Sequence, residues 1–266
     1  MSCKLVNIIY NDNAPSLEAF DILTQKLSDA GFNFTTNCSE DAVATVCIGG
    51  DGSFLRAIHM TDFSQIPFVG INTGHLGFFQ EISPNNLDLL VDSLKEENYT
   101  LEKIALVECC VKTSSEEQHI FAVNEIAIKG LANKVIHVDI YIDGMLFEKV
   151  SGDGIIVSTP IGSTGYNYSC GGSIIAPSLH TLQLASIAPI SSKAYRSLNN
   201  SLIFPSDASL VVRPEYREDV MNVIADGIQY SFSDVIKLNF QYSKKTINKL
   251  VIKDKSFWKN VKEKFL

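Results

Sequence analysis

One carboxylate in this sequence stands among glycines at the end of a buried run. Gly49-Gly50-Asp51-Gly52 follows the apolar stretch Ala42–Ile48 and precedes a helical pattern over Ser53–Met60. Glycines at the carboxyl end of a parallel strand let the backbone turn sharply and let a ligand approach the main chain. A helix starting near Ser53 then offers unpaired N–H groups to phosphate oxygens. The stretch is neither a Gly-Lys-Ser/Thr phosphate loop nor a G-x-G-x-x-G dinucleotide fingerprint. A carboxylate beside bound phosphate repels it unless it takes a proton from an attacking hydroxyl or holds Mg²⁺. Alone, the tetrapeptide is equally compatible with a tight turn. A second loop, Asn72-Thr73-Gly74-His75-Leu76-Gly77-Phe78, follows the next strand, and two such loops at neighbouring strand ends make a ligand crevice. His75 is either a phosphate contact or a loop residue bonded to backbone.

Two further stretches carry polar chemistry. Asn124-Glu125 interrupts the apolar run FAVNEIAIKG, where a polar pair is costly unless hydrogen-bonded. An amide and a carboxylate suit an adenine edge and vicinal ribose hydroxyls; a strand end or bulge is the plainer alternative. The richest stretch is Gly152-Asp153-Gly154-Ile155-Ile156-Val157-Ser158-Thr159-Pro160-Ile161-Gly162-Ser163-Thr164-Gly165-Tyr166-Asn167-Tyr168-Ser169. It reads as a five-residue strand between a carboxylate turn and a loop of glycines and hydroxyls. Small residues and hydroxyls permit close polar contact, and Tyr166 adds a stacking surface.

These residues need elements to hold them. Lys4–Tyr10, Ala42–Ile48 and Pro67–Ile71 read as strands. A helix opened by Pro15, with Leu17, Phe20, Leu23 and Leu27 at helical spacing, ends at Gly31. Leu87–Leu94 reads as another helix. This alternation argues a Rossmann-like α/β domain with a parallel sheet over residues 1–103. From about residue 104 the pattern changes to short β-rich runs at Ala105–Thr113, Phe121–Ile128, Gly154–Ser158, Ser209–Arg213, Val223–Ala225 and Val235–Phe240. Ile136, Val138, Ile140 and Ile142 alternate strictly with polar residues, and Asp143-Gly144 is a hairpin signal. A larger all-β, sandwich-like domain over 104–248 is expected. The basic tail, with Phe257, Trp258, Val261 and Phe265 on an amphipathic stretch, is expected to return to the first domain over 249–266.

Composition narrows the classes. The 266 residues carry a formal net charge of −8, which argues against non-specific nucleic-acid binding and leaves anion binding to local backbone donors. No apolar run reaches the ~20 residues of a membrane span, and the N-terminus does not read as a signal peptide. The six cysteines, Cys3, Cys38, Cys47, Cys109, Cys110 and Cys170, form no C-x-x-C pair and are expected to be reduced thiols of a cytoplasmic protein.

Taken in order, GGDG, NTGHLGF, NE and GDGxxxSTPxGSTxY resemble the NAD kinases in their compact bacterial form, over nearly the whole chain. GGDG alone is shared with sugar and lipid kinases; NE and STPxGSTxY are more specific. The resemblance implies that Asp51 is the general base activating the 2′-hydroxyl of the adenosine ribose of NAD. Gly49, Gly50, Gly52 and Ser53, with Gly74 and His75, would receive the ATP phosphates with Mg²⁺, whose direct protein ligands stay open. Asn124 and Glu125 would hold the adenosine of NAD, and Asp153 would contact its nicotinamide-side half. Thr164, Gly165, Tyr166, Asn167 and Ser169 would line the adenine pocket, Ala188 its floor, and Asp226-Gly227 would close the site. It also implies a homotetramer built through the β domain. Three positions depart from the family pattern: Ile161 for Thr or Ser, Gly165 for Ala, and Ser151 where some relatives carry Arg.

Overall fold

The computed structural model describes residues 4–191, 197–216, 220–253 and 256–266. Cys3 and residues 254–255 of the tail lie outside them. The chain divides into two compact units, Met1–Ile104 with Thr246–Leu266, and Ala105–Lys245.

In the first unit, strands β1 (Leu5–Tyr10), β2 (Asn33–Thr35), β3 (Ala42–Gly49), β4 (Phe68–Asn72) and β5 (Gln80–Ile82) form a parallel sheet in the order β5-β4-β3-β1-β2. Helices α1 (Ala14–Asp29), α2 (Asp51–Met60) and α3 (Leu87–Glu96) join them. The Asn13 side chain caps α1 by accepting from Ser16 N, and Pro15 sits in its first turn. Its buried stripe is Ser16, Ala19, Leu23 and Leu27; Leu17, expected on that face, is 38% exposed. Helices α1 and α3 share a core with Val6, Ile8, Val46, Ile48, Val69 and Ile71. Side chains alternate across a strand, so Phe68 faces the other way, against Phe54 of α2, which also stacks on Phe79 at 4.9 Å between centroids.

The second unit begins within β6 (Thr100–Thr113) and continues through β7 (Glu117–Ala122), β8 (Glu125–Gly130), β9 (Ile136–Ile142) and β10 (Met145–Ser158). A short helix α4 (Tyr166–Ser169) precedes β11 (Thr181–Pro189), β12 (Leu202–Pro205), β13 (Leu210–Pro214), β14 (Met221–Ala225), β15 (Ile228–Phe232) and β16 (Val235–Val251). The ladder runs β7-β6-β16-β13-β9-β10-β8-β14-β15, with β11 and β12 built out from β10. One apolar core takes side chains from both ends of that ladder, including Val107, Ile120, Val138, Val223, Phe232 and Leu238. Asp143 and Gly144 form the expected two-residue turn, both at positive φ (50° and 78°), pairing Ile142 with Met145. The last residues of β16 return to the first unit, where Lys249 pairs with Phe68, and α5 (Phe257–Phe265) follows.

Several local expectations need correction. Helix α2 starts at Asp51, not Ser53, because Gly50 takes the extended N-cap conformation. The run Phe121–Ile128 is two strands, with Val123-Asn124 as the turn between them. Gly152-Asp153 makes no turn: β10 passes straight through it to Ser158. Strand β11 is an addition to the expected strands, although Leu182 and Leu184 alternate with Gln183 in its sequence.

Candidate functional site

Asp51 is the first residue of α2, where the positive end of the helix favours an anion. Its carboxylate is braced by the second glycine loop. Oδ2 accepts from Phe78 N at 3.0 Å and Oδ1 from Phe79 N at 3.1 Å. Gly77 makes this approach possible, since a Cβ there would run into the Asp51 carboxylate. Thr73 N, at the start of that loop, donates to Gly49 O, so the two loops are tied together. The loop's own turn is set by Asn72, whose Oδ1 accepts from Gly74 N; His75 is exposed beside it. The carboxylate remains open, its side chain 24% exposed, and Lys264 Nζ of α5 lies 3.7 Å from Oδ2. Lys264 also sits over the Phe78 ring, which packs against Phe257 and Phe265 of the same helix.

In the second unit, Asp226 organises the Asn124-Glu125 corner. Asp226 (φ 47°) and Gly227 (φ 89°) form the turn between β14 and β15. Asp226 Oδ2 accepts from Val123 N at 2.7 Å, and Oδ1 from Asn124 N at 2.8 Å and Glu125 N at 3.3 Å. Three backbone donors on one carboxylate hold the β7–β8 turn in a single shape. That turn leaves Asn124 Oδ1 and Glu125 Oε2 enclosed without partners among the described residues. An enclosed polar atom without a partner costs ~1–3 kcal/mol, which a ligand donor can recover. Burial, then the neighbouring Asp226 carboxylate, pushes Glu125 up to about 8, against the opposing effect of Tyr166 N.

The hydroxyl-rich loop closes on the same corner. Thr159 Oγ1 donates to Val123 O at 2.7 Å and accepts from Gly162 N at 3.1 Å. Gly162 lies so close to the Asn124 backbone that any Cβ would overlap it. Ser163 Oγ donates to Pro160 O and accepts from Ile175 N. Tyr166 is 38% exposed, and its hydroxyl accepts from Lys129 Nζ at 2.9 Å. Gly165 stands where a Cβ would come within 3.0 Å of Glu125 Oε2, so the departure from Ala adds room at that oxygen.

Thr164, Asn167, Ser169, Asp153 and Ala188 are the remaining expected site residues. Thr164 is largely buried, bonded to Ile161 O, and Ser169 is exposed at the end of α4. Asn167 is fully buried, its Nδ2 directed at Gln183 Oε1 and Ser163 O, so its contacts are to the loop's own scaffold. Asp153 is exposed in β10 opposite Ala188, which takes a positive φ of 45°. A non-glycine residue at such φ costs of order 1 kcal/mol and marks a position that the surroundings force. Ser151 is buried against His137 Nδ1 at 2.8 Å, which gives that family departure a packing role. The motifs do not announce the Phe78 and Phe79 amides, Gly77, Lys264, Thr159 or Lys129 as site groups. Backbone donors carry no sequence signal, and Lys264 is one of several lysines in a basic tail.

A braced, partly open carboxylate at a helix N-terminus, next to backbone donors for phosphate, is the equipment of an enzyme that transfers a phosphoryl group to a hydroxyl. Comparison with known proteins gives the particular family. The profile described as ATP-NAD kinase N-terminal domain matches residues 8–99, and that of the ATP-NAD kinase C-terminal domain matches residues 123–250. An NAD kinase of Finegoldia magna is 46% identical over 99% of this chain and 98% of its own length. One from Latilactobacillus sakei subsp. sakei is 33% identical over 98% and 97%. The crystal structure of an NAD kinase from Archaeoglobus fulgidus in complex with ATP superimposes with a TM-score of 0.77 at 26% identity, covering 98% of this chain and 97% of that one. The yeast NADH kinase fold also matches, at a TM-score of 0.85 and 21% identity, over 98% of this chain and 87% of that one. The chain belongs to the NAD kinase family. It is an enzyme whose reaction is the ATP-dependent phosphorylation of NAD. No helix among the described residues is long and apolar enough to cross a membrane.

Proposed function

We propose that Asp51 is the general base of this NAD kinase. It accepts the proton of the adenosine 2′-hydroxyl as that oxygen bonds to the γ-phosphorus of ATP and the bond to the ADP oxygen breaks. The observation that carries the reading is the bracing of the carboxylate by Phe78 N and Phe79 N, which fixes its orientation. Lys264 pairs with the same carboxylate at 3.7 Å, and we assign it the role of releasing Asp51 when phosphate offers a stronger anion. Phosphate is received by backbone donors at Gly49, Gly50, Gly52 and Ser53, with Gly74 and His75 on the neighbouring loop.

Asn124 and Glu125 are assigned to the adenosine of NAD. Their enclosed, unpartnered Oδ1 and Oε2 match the amino and hydroxyl donors of that group. Asp226 acts through the β7–β8 turn as a positioning residue. Tyr166 stacks on adenine; Thr164, Gly165 and Ser169 line its pocket above a floor at Ala188, Asn167 holds the loop's shape, and Asp153 faces the nicotinamide side.

The metal fits only as a guest of the nucleotide. Asp51 is the carboxylate on these loops, and both its oxygens already accept N–H groups, so the chain builds no all-protein cage. Mg²⁺ characteristically keeps its waters and binds through phosphates with one or two carboxylates. Bound so, it would neutralise phosphate charge that develops during transfer. A cytoplasmic location and a homotetramer through the β unit complete the reading.

Binding and turnover can be separated at one position. Asp51→Asn keeps the side chain's size and one of its two acceptors for the backbone N–H groups but not its basicity, so NADP⁺ formation should fall by about 10²–10⁴ while calorimetry still registers NAD binding. A variant that turns over at the wild-type rate, or that loses NAD binding outright, contradicts the assigned role.

A further inference from the structure

Strands β6 and β7 pair with Cys110 opposite His119 and Lys112 opposite Glu117. The core takes Val107, Cys109, Val111, Ile120 and Ala122 from these strands, so Glu108, Cys110, Glu117 and His119 share the opposite face. There the ligand atoms of Cys110, Glu117 and His119 all lie within 4.8 Å of one another. His119 is already oriented as a metal ligand would be. Its Nδ1 lies 2.7 Å from Glu108 Oε1, and Nε2 faces Glu117 Oε1 at 4.0 Å. Glu108 is fixed in turn: it is 8% exposed, and its Oε2 accepts from Gln241 Nε2 at 2.8 Å and Ser243 Oγ at 3.2 Å. A buried, doubly anchored carboxylate on one ring nitrogen turns the other nitrogen outward. That is the outer-shell arrangement that accompanies histidine on zinc.

We propose that Cys110, Glu117 and His119 bind one divalent ion of the zinc class, with Glu108 orienting the imidazole and water in the fourth position. The donor set of sulfur, nitrogen and oxygen decides the class: Mg²⁺ and Ca²⁺ take oxygen ligands, whereas thiolate with imidazole selects zinc and its neighbours. Glu117 and His119 are about half exposed, at 53% and 51% of their side chains, so both can close the last ångström by rotation. Cys110 is 9% exposed, so the ion would be approached from the Glu117 and His119 side. On binding, the metal–sulfur bond forms and the thiol proton leaves to water. The ion would clamp β7 to β6 just ahead of the β7–β8 turn. The site is independent of the phosphoryl-transfer assignments.

Titration of the metal-free enzyme with Co²⁺, the probe, tests this directly. The expected result is one Co²⁺ per chain with a thiolate-to-cobalt charge-transfer band, displaced by Zn²⁺. The band should vanish in Cys110→Ser, and Glu108→Gln should weaken affinity by about 10–100-fold. Glu117→Gln changes a half-exposed side chain and should also weaken binding, which keeps the test open if Cys110→Ser folds poorly. Cobalt binding without the charge-transfer band, or a band that persists in Cys110→Ser, overturns the site. So does a Glu117→Gln variant with unchanged affinity.

Discussion

At the scale of single residues, the proposed chemistry depends on how two carboxylates are treated. Asp51 is given two backbone donors, and the space for that approach comes from the missing side chain of Gly77. Gly77→Ala should therefore lower turnover by tenfold or more and cost about 1–3 kcal/mol of stability, as an overpacked site does; steady-state kinetics and urea unfolding would register both. Glu125 is treated oppositely, enclosed and set near Asp226, which pushes it from 4.5 up to about 8. Between those values the folded protein keeps the Glu125 proton while the unfolded chain loses it. Folding stability from this group is thus complete below about pH 4.5 and declines toward pH 8, by at most ~1.4 kcal/mol per pH unit. Glu125→Gln removes that penalty. Its unfolding free energy should exceed that of the wild type by a margin that grows from pH 5 to pH 8, while its KM for NAD rises. A margin that does not change with pH would contradict the assigned ionisation.

At the scale of elements, what is legible in the sequence and what is hidden there separate by cause. Strands β1, β3 and β4 are readable because parallel strands buried on both faces are continuous apolar runs. The β9–β10 hairpin is readable because Asp-Gly at positive φ is a local signal. Strands β2 and β5, each three residues long, carry too little pattern to announce themselves. The motif spacing places Asp51 and the Asn72–Phe78 loop near one another but does not reveal that the loop grips the carboxylate, because the grip is made by main-chain N–H groups. Likewise the motif places Asp226 at the site but does not reveal that its carboxylate also accepts from three N–H groups of the β7–β8 turn. Asp226→Ala should strand those backbone donors and cost about 1–3 kcal/mol, with weaker NAD binding, in thermal unfolding and calorimetry. Helix α5 belongs to this scale too. Lys264→Ala leaves the Phe257 and Phe265 packing on Phe78 intact, so stability should change by less than about 1 kcal/mol, as for a partly exposed ion pair. The KM for ATP should rise instead, if Lys264 exchanges Asp51 for phosphate.

At the scale of the whole molecule, two cores built by different rules divide the work. In the proposed reading the parallel α/β unit carries the phosphate chemistry and the antiparallel β unit the adenosine. Each is organised around a turn or loop locked by a carboxylate, Asp51 in one and Asp226 in the other. A ligand that binds only the folded chain stabilises it by about 2.7 kcal/mol at a hundredfold excess over its Kd, so NAD should raise the melting temperature of wild type and Asp51→Asn alike. The homotetramer assigned to the β unit is checked by sedimentation equilibrium, with a mass near four times 29.3 kDa expected. The proposed mechanism turns on Asp51, and one measurement reaches it most directly. Purified enzyme is supplied with NAD⁺, ATP and Mg²⁺, product is read by an NADP⁺-specific dehydrogenase, and wild type is set beside Asp51→Asn. Steady NADP⁺ formation that collapses in the variant is the predicted result; equal rates in the two proteins would contradict the role of Asp51 as the base.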